Sequence, residues 1–385
     1  MKNRYSKTTP LAIALLGAFG LLGPGSTQSQ ALPSIAEDEL LDVGILVLDP
    51  GIEQKMYLLA GYEYINPKLR QSEAAFIAVH LMRTLQAAER FGLVRMMPRN
   101  SVSADLFVSG RIRESSGRRL GLELEVVDAT GRRWLKKSYK QKARPAAHVL
   151  SFHSNIEPFQ SVYDDFVSDL IQTQSRMKGE YLENLRRIAE LRFAAQLAPG
   201  VFGDYLTLDR RGRIALDRLP ARDDPMLTRV RTIQTRDEFF LDLLAERYEG
   251  FYTTLDRPYD NFRATRYEVE LALRDARAQV NLANARAMVA PPSDGFKMRD
   301  PARERAEYYR RQVMARTSFL DEIASTFAAE IDPLKLELDG EVIRFEGTIE
   351  DQYRQWQELL EKIFESETGM SARGGLTADS LNASH

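Results

Sequence analysis

Apolar and polar residues alternate most clearly between positions 104 and 142 of the chain. Two runs have an apolar residue at every second position: Leu106, Val108 and Ile112, then Leu120, Leu122, Leu124 and Val126. This period of two is expected of strands with one buried and one solvated face. Turn residues interrupt the pattern at positions 115–117 and 128–131. The segment therefore predicts a meander of three antiparallel strands.

The residues on either side of the meander predict two more strands and two helices. Residues 43–48 form a continuous apolar run, which is typical of a central strand buried on both faces. Apolar positions at helical spacing predict a helix over residues 72–91, with Ser72 as N-cap and Gly92 as its stop. Residues 93–97 predict a strand, and residues 162–172 predict a second amphipathic helix.

Long helical patterns dominate residues 176–331. A connector over residues 203–225 contains a predicted short hairpin around Arg211-Gly212, and two helical segments follow. The second segment has a heptad seam of mostly small residues: Val269, Leu273, Ala276, Val280, Ala283 and Ala287. We read residues 256–260 as a tight link, so the two segments are expected to fold back as an antiparallel hairpin. A last helix is expected over residues 301–330.

The C-terminal region predicts a strand–strand–helix element at residues 332–366. Asp339-Gly340 is a strong hairpin turn, and Trp356 lies on the apolar side of the helix that follows. Residues 367–385 are rich in Gly, Ser and Ala and are expected to form a disordered tail.

Two segments resemble known envelope modules. Residues 40–175 resemble the N-terminal α+β domain of the periplasmic TolB protein, which is shared in outline by CsgG-like envelope transport auxiliaries. The motifs are VGILVLD at 43–49, RFGLVRMMP at 90–98, and ADLFVSGRI with LELEVVDATGRRW in the meander. Residues 303–366 resemble part of a BON domain, a module associated with membrane surfaces. The resemblances imply a fold and an envelope setting, and no catalytic residues.

The N-terminus predicts export. Lys2, Arg4 and Lys7 precede an apolar run at residues 11–22, and small residues end at Ala31. This is the pattern of a signal peptide over residues 1–31, cleaved at Ala31, with a short leader over residues 32–42. An uncleaved membrane anchor is the alternative, although the run is short for a bilayer. We therefore expect a periplasmic location.

Composition narrows the chemistry. The 385 residues include 44% hydrophobic and 28% charged positions, as in an ordinary folded protein. Cysteine is absent, which excludes disulfides, thiolate metal sites, cysteine nucleophiles and a lipoprotein anchor. Acidic residues outnumber basic ones, 55 to 53, so a nucleic-acid partner is not expected.

Candidate catalytic and metal residues are few. His148 and His153, near Asp164 and Asp165, suit zinc, but hydrogen-bonded structural histidines explain them better. Three acidic pairs offer carboxylates for glycan hydrolysis: Asp223 with Asp224, Asp237 with Glu238, and Asp256 with Asp260. Each pair lies at an expected helix end, where capping explains it better. No GxSxG or HExxH motif occurs, so we predict no catalytic residue, cofactor or metal.

Two residue sets are candidates for partner contact. The first is basic: Arg118, Arg119, Arg132, Arg133 with Trp134, Lys136, Lys137, Lys140 and Lys142. On one sheet edge they would meet anionic lipid or an acidic partner, or would protect the edge from aggregation. The second set is aromatic: Phe239, Tyr252, Tyr259 and Phe262 fall off the inward seam. They would dock on the same chain or bind a partner.

The expected fold is therefore α+β. A small mixed-sheet domain with two helices (residues 43–175) precedes an antiparallel bundle of long helices (176–331) and the short ββα element. The expected function is a non-catalytic envelope adaptor or assembly accessory that binds an envelope protein. Two alternatives stay open: a cell-wall hydrolase with fold-assembled carboxylates, or a module making weak membrane-surface contact through the C-terminal element.

Overall fold

The computed structural model describes residues 40–52, 67–143, 157–221, 223–289, 333–338 and 340–369, and single positions between 304 and 315. The signal sequence with Ala31, both histidines of the zinc hypothesis, most of the predicted last helix and most of the tail lie outside the described residues. All the contacts below fall within one compact unit, Ala36–His385.

A five-stranded mixed sheet forms the first part of the α+β fold. Its strands are β1 (Val43–Ile45), β2 (Val94–Met96), β3 (Leu106–Ser115), β4 (Arg119–Asp128) and β5 (Arg133–Lys142), in the order β2-β1-β3-β4-β5. Strand β1 lies inside the sheet, next to the edge strand β2, and runs parallel to both of its neighbours. Strands β3, β4 and β5 pair antiparallel, which confirms the predicted meander.

Helices α1 (Pro67–Ala87) and α2 (Gln160–Ser175) accompany the sheet. The prediction of Ser72 as N-cap is wrong, because α1 is described from Pro67 onward. Ser72 lies inside the helix, and its hydroxyl donates to the carbonyl of Lys68.

A helix and a small hairpin follow the sheet. Helix α3 (Gly179–Leu197) and the short α4 (Pro199–Phe202) lead into β6 (Leu206–Leu208) and β7 (Ile214–Leu216). The two strands pair antiparallel, which confirms the hairpin predicted around Arg211-Gly212. Gly212 has a positive φ of 73°, a conformation that favours glycine in a tight turn.

Helix α5 (Pro225–Val289) is a continuous helix of 65 residues. The prediction of a tight link at residues 256–260 is wrong, because Pro258 lies inside the helix. Leu255, Tyr259 and Phe262 share one helical face around Pro258, and all three are buried. This burial outweighs the roughly 3 kcal/mol that a proline costs a helix interior. The structure does not describe the side chains of the predicted heptad seam from Leu273 onward.

The predicted ββα element is confirmed. It consists of β8 (Leu334–Leu338), β9 (Glu341–Phe345) and α6 (Ile349–Thr368). Helix α6 begins with a capping box between Thr348 and Asp351. Trp356 is fully buried and stacks on Phe240 of α5, with ring centroids 4.7 Å apart. The element is therefore held against the N-terminal part of α5.

Candidate functional site: a polar cluster on the long helix

The middle of α5 packs on α1 through a group of buried polar side chains, which we call the polar cluster. Its members are Arg70, Glu73 and His80 of α1, Ser115 at the end of β3, Glu157 and Gln160 at the start of α2, and Tyr252, Tyr259, Asp260 and Arg263 of α5. Two of the predicted aromatic contact residues, Tyr252 and Tyr259, belong to the cluster. Phe262 is buried beside it, whereas Phe239 is 55% exposed elsewhere on α5. Three of the four aromatic residues therefore dock on the same chain.

The first half of the cluster surrounds Glu73. Arg70 Nη1 lies 2.7 Å from Glu73 Oε2, and the hydroxyls of Ser115 and Tyr259 both donate to Oε1. Burial acts to raise the pKa of Glu73, but Arg70 and the two hydroxyls outweigh it and hold the pKa below the usual value. Glu73 is therefore an ionised carboxylate inside the protein.

The second half surrounds Arg263. Its guanidinium binds both carboxylate oxygens of Glu157, at 2.7 Å and 2.6 Å, and Nη2 also lies 2.6 Å from Asp260 Oδ1. The Tyr259 ring centroid lies 4.6 Å from the same guanidinium. Burial acts to raise the pKa of Glu157, but the Arg263 guanidinium outweighs burial and holds this pKa below its usual value. The Glu157 carboxylate is therefore also ionised.

His80 lies at the edge of the cluster with both ring nitrogens bound. Nε2 lies 2.8 Å from the carbonyl oxygen of the Gln160 side chain, and Nδ1 lies 2.8 Å from the Tyr252 hydroxyl. Because a carbonyl oxygen only accepts, Nε2 donates to Gln160, and Nδ1 shares a hydrogen bond with the Tyr252 hydroxyl. Both ring nitrogens are therefore occupied by partners within the chain.

Gly117 brings the β3–β4 turn against α5 beyond the cluster. Its amide donates to Glu270 Oε1 at 2.9 Å, and a Cβ on Gly117 would lie 2.1 Å from the backbone nitrogen of Tyr267. Gly117 lies in the turn predicted at residues 115–117, and it is not among the positive-φ glycines. The structure uses its missing side chain for close approach.

The carboxylates at the centre of the polar cluster have their partners within the chain. Both oxygens of Glu73 and both oxygens of Glu157 accept from side chains of the same chain. Arg263 Nε is buried without a hydrogen-bond partner, so Arg263 is held through its two terminal nitrogens. The arrangement therefore fixes α5 in position.

Asp237 forms a second buried site, nearer the start of α5. Ser103 Oγ donates at 2.6 Å, Tyr353 OH at 3.3 Å and Trp356 Nε1 at 3.2 Å. Burial raises the pKa of Asp237 to about 6 despite these donors. A neighbouring cavity of about 20 Å³, lined by Phe193, Gln196 and Leu360 among others, has room for about one water molecule and none for a substrate.

The three predicted acidic pairs lie at different positions relative to helix α5. Asp224 accepts from the amides of Met226 at 2.8 Å and Leu227 at 3.4 Å, so capping is confirmed there. The capping explanation is wrong for Asp237, Asp256 and Asp260, which lie inside α5. For Asp256 and Asp260 the error follows from the wrongly predicted link, because a break at residues 256–260 would have created helix ends there. For Asp237 it follows from the start of α5, which is at Pro225.

The sequence reading missed another acidic pair, Asp42 and Asp105. The amide of Asp42 donates to Asp105 Oδ2 at 2.9 Å, and Asp42 Oδ1 accepts from the amide of Leu93 at 2.7 Å. Burial raises both pKa values, that of Asp105 to about 7. A sequence signal for this pair was available, because each residue directly precedes one of two neighbouring parallel strands.

The predicted leader over residues 32–42 was also too long, since Leu41 is fully buried.

Half of the predicted basic patch is paired with acids: Arg119, Arg133, Lys136 and Lys137. Lys136 lies opposite Glu125 across the β4–β5 register and 2.9 Å from its carboxylate, and Arg133 binds the same Glu125. The buried Trp134 ring donates to Asp128 Oδ2 at 2.7 Å. Arg132 lies over the Tyr181 ring, 5.0 Å from its centroid. Strand β5 therefore presents fewer uncompensated cations than its sequence indicates.

Within the described residues, no group of three His, Cys, Asp or Glu side chains is placed to hold a metal ion. Nor does any helix of those residues have both the length and the apolar character to cross a membrane. No family model, curated protein or solved structure matches the chain. Function must therefore be argued from the chain itself.

Proposed function

We propose that this protein is an exported, non-catalytic accessory of the cell envelope, an adaptor or assembly factor that binds another protein. The signal-peptide pattern at residues 1–31 supports export, and the hydrogen bonds that Glu73 and Glu157 accept within the polar cluster support a structural role for these buried acids. The observation that carries the proposal is the exposure of the outer end of α5, by which we mean the part of the helix after Ala272.

The outer end of α5 is exposed along its described side chains. Ala272 is the last described buried residue, and Arg274, Asp275, Gln279 and Leu282 are exposed. The helix continues to Val289, which adds 17 residues and roughly 25 Å of length. A helical segment of that length is only marginally stable alone in water. Its stability is explained if another helix lies along it.

The occupant that we propose is a helix of a partner protein. The heptad of small residues read from the sequence suits close approach of a second helix, and Leu282 presents an apolar side chain that is 53% exposed. The competing occupant is the segment at residues 301–330 of the same chain. The two occupants differ in whether a cross-link from α5 joins two proteins.

Site-specific photo-cross-linking tests the proposal. A benzophenone side chain placed at position 282 should cross-link a second protein in intact cells. The control is position 342, because Val342 is 63% exposed but lies on β9. A cross-linked band from position 282 and none from 342 supports the proposal. A cross-link within the chain, or no cross-link from position 282, contradicts it.

Export has its own test. A tagged protein should appear in the osmotic-shock fraction, shortened near Ala31. Recovery of the full-length chain in the membrane fraction would contradict a cleaved signal peptide.

The hydrolase alternative now rests on Asp42 and Asp105, the adjacent acids with raised pKa values. One oxygen of each accepts from a backbone amide, which favours a structural role. Renaturing zymography on peptidoglycan separates the two roles. A cleared zone that the Asp105→Asn variant loses would favour the hydrolase, and the adaptor proposal expects no cleared zone from either protein.

A further inference from the structure

We infer that the β6–β7 hairpin, with the β4–β5 turn beside it, forms a contact surface for a membrane of anionic phospholipid. We call the residues from Leu206 to Leu219 the arginine hairpin. The inference is independent of the proposed binding at α5, because it concerns another surface and another kind of partner.

The backbone groups of the arginine hairpin's turn form hydrogen bonds within the turn itself, and the arginine side chains are left at the surface. Asp209 Oδ1 accepts from the amides of Arg211 at 2.7 Å and Arg213 at 2.9 Å. The Asp209 amide donates to the Arg213 carbonyl at 2.8 Å, and the Gly212 amide donates to the Asp209 carbonyl at 3.0 Å. The Arg210 and Arg211 side chains are exposed, and Arg213 is half-buried.

A backbone hydrogen bond joins the hairpin to the β4–β5 turn. The amide of Ile214 donates to the carbonyl of Thr130 at 2.9 Å. Ile214 and Leu206 are buried, which anchors the base of the hairpin. Arg132 is two residues from Thr130, and Arg213 precedes Ile214. The two turns therefore combine their arginines on one surface.

Positive charge exceeds negative charge on this surface. The arginines are Arg132, Arg133, Arg210, Arg211, Arg213 and Arg218, and the acids near them are Asp204, Asp209, Asp217 and the Glu125 that pairs with Arg133. Arg218 lies over the Tyr205 ring, 5.0 Å from its centroid, as Arg132 does over Tyr181. Hydrogen bonds to backbone amides, chiefly that of Arg213, hold the pKa of Asp209 below its usual value, so Asp209 stays ionised while it holds the turn.

Two exposed leucines flank the arginines and indicate a membrane rather than an acidic protein. Leu208 is 53% exposed and Leu219 is 52% exposed. Leu208 pairs with Ile214 across the hairpin, so it shares the face that is buried at Leu206 and continues it beyond the core. Basic residues next to exposed apolar ones are typical of segments that lie in the membrane interface. Each arginine near an anionic surface adds electrostatic attraction, and the leucines add apolar burial.

Vesicle sedimentation with the purified mature chain tests the inference. Vesicles of phosphatidylcholine with one part in three phosphatidylglycerol should sediment the protein, and pure phosphatidylcholine vesicles should not. High salt should release it, since the attraction is electrostatic. The Arg210→Ser, Arg211→Ser, Arg213→Ser triple variant should lose at least about tenfold in vesicle affinity, because three such contributions are removed. The Leu208→Ser, Leu219→Ser double variant should lose several-fold.

Matched controls separate this surface from the other candidates. The Lys140→Ser, Lys142→Ser double variant removes exposed cations from β5, and Val342→Ser changes the C-terminal element. Both should bind vesicles as the wild type does, and all variants should keep the wild-type melting temperature. Unchanged binding by the arginine triple variant overturns the inference, as does loss of binding only in Val342→Ser. Binding of an acidic peptide that needs the arginines but not the leucines would assign the surface to a protein instead.

Discussion

Buried carboxylates hold helix α5 at two places. Their pKa values are raised at one place and lowered at the other. Asp237 accepts from the neutral donors of Ser103, Tyr353 and Trp356, and its pKa rises to about 6. Glu73 and Glu157 face Arg70 and Arg263, and their pKa values fall below the usual range. All three carboxylates are buried. The charge of the donors, and not burial itself, decides which protonation state the fold stabilises.

The two places should therefore respond to pH in opposite directions. The raised pKa of Asp237 means that the fold favours its protonated form, so this site loses stability as pH rises from 3.8 to about 6. The lowered pKa values of Glu73 and Glu157 mean that these sites contribute stability above the unfolded value of 4.5. That contribution is lost as pH falls through the folded pKa.

Removal of Arg263 should have the largest effect. Arg263→Met leaves Glu157 and Asp260 buried without their cation, which should lower the free energy of unfolding by about 3–5 kcal/mol. Urea unfolding measures the loss. The matched control is Arg231→Met, since Arg231 pairs with Glu190 at the surface and should cost about 1 kcal/mol or less. Equal losses in the two variants would show that the polar cluster does not anchor α5.

A methyl group at Gly117 should have the next largest effect. Gly117→Ala places a Cβ 2.1 Å from the Tyr267 nitrogen, so the β3–β4 turn or α5 must move. We expect a loss of about 3 kcal/mol, the upper end of typical overpacking costs. Gly250→Ala is the control, because a Cβ there meets nothing within 4 Å. It lies inside α5 and should gain up to about 1 kcal/mol. A neutral Gly117→Ala variant would contradict the close approach.

Asp237→Asn should change the pH dependence of the free energy of unfolding, and the variant should still fold. The variant should lack the loss of stability between pH 4 and pH 6, a difference from wild type on the order of 2 kcal/mol. Urea unfolding at four pH values between 4 and 7 gives the difference profile. Glu157→Gln should give a profile of the opposite sign, with the variant weakest above pH 5. Parallel profiles for Asp237→Asn and wild type would refute the raised pKa.

Phe239→Ser should have the smallest effect on stability. Its ring is 55% exposed, so the free energy of unfolding should change by about 0.5 kcal/mol or less. Tyr252→Ser, at a buried position of the same helix, should cost several-fold more. Thermal unfolding compares the two. A loss at Phe239 as large as that at Tyr252 would mean that Phe239 is packed in solution.

The sequence predicts regular, local elements well. Alternation specified the meander, and the turns at Gly212 and Gly340 specified two hairpins. The continuity of α5 was missed because Pro258 is a strong local breaker, while the burial of Leu255, Tyr259 and Phe262 is a tertiary effect. The polar cluster was missed because Glu73, Ser115, Glu157 and Tyr259 come from four distant parts of the chain. Only the fold brings them together.

The contact between α6 and the segment before β3 also has a consequence for the order of folding. The hydroxyls of Tyr353 and Ser101 lie 3.2 Å apart across 252 residues of sequence, and Asn100 donates to Gln357 across 257. A chain that is synthesised from its N-terminus makes the sheet long before it makes α6. Until α6 arrives, Asp237 lacks Tyr353 and Trp356, and the ring of Phe240 lacks its cover. Completion of this fold therefore waits until α6 is present to pack on α5.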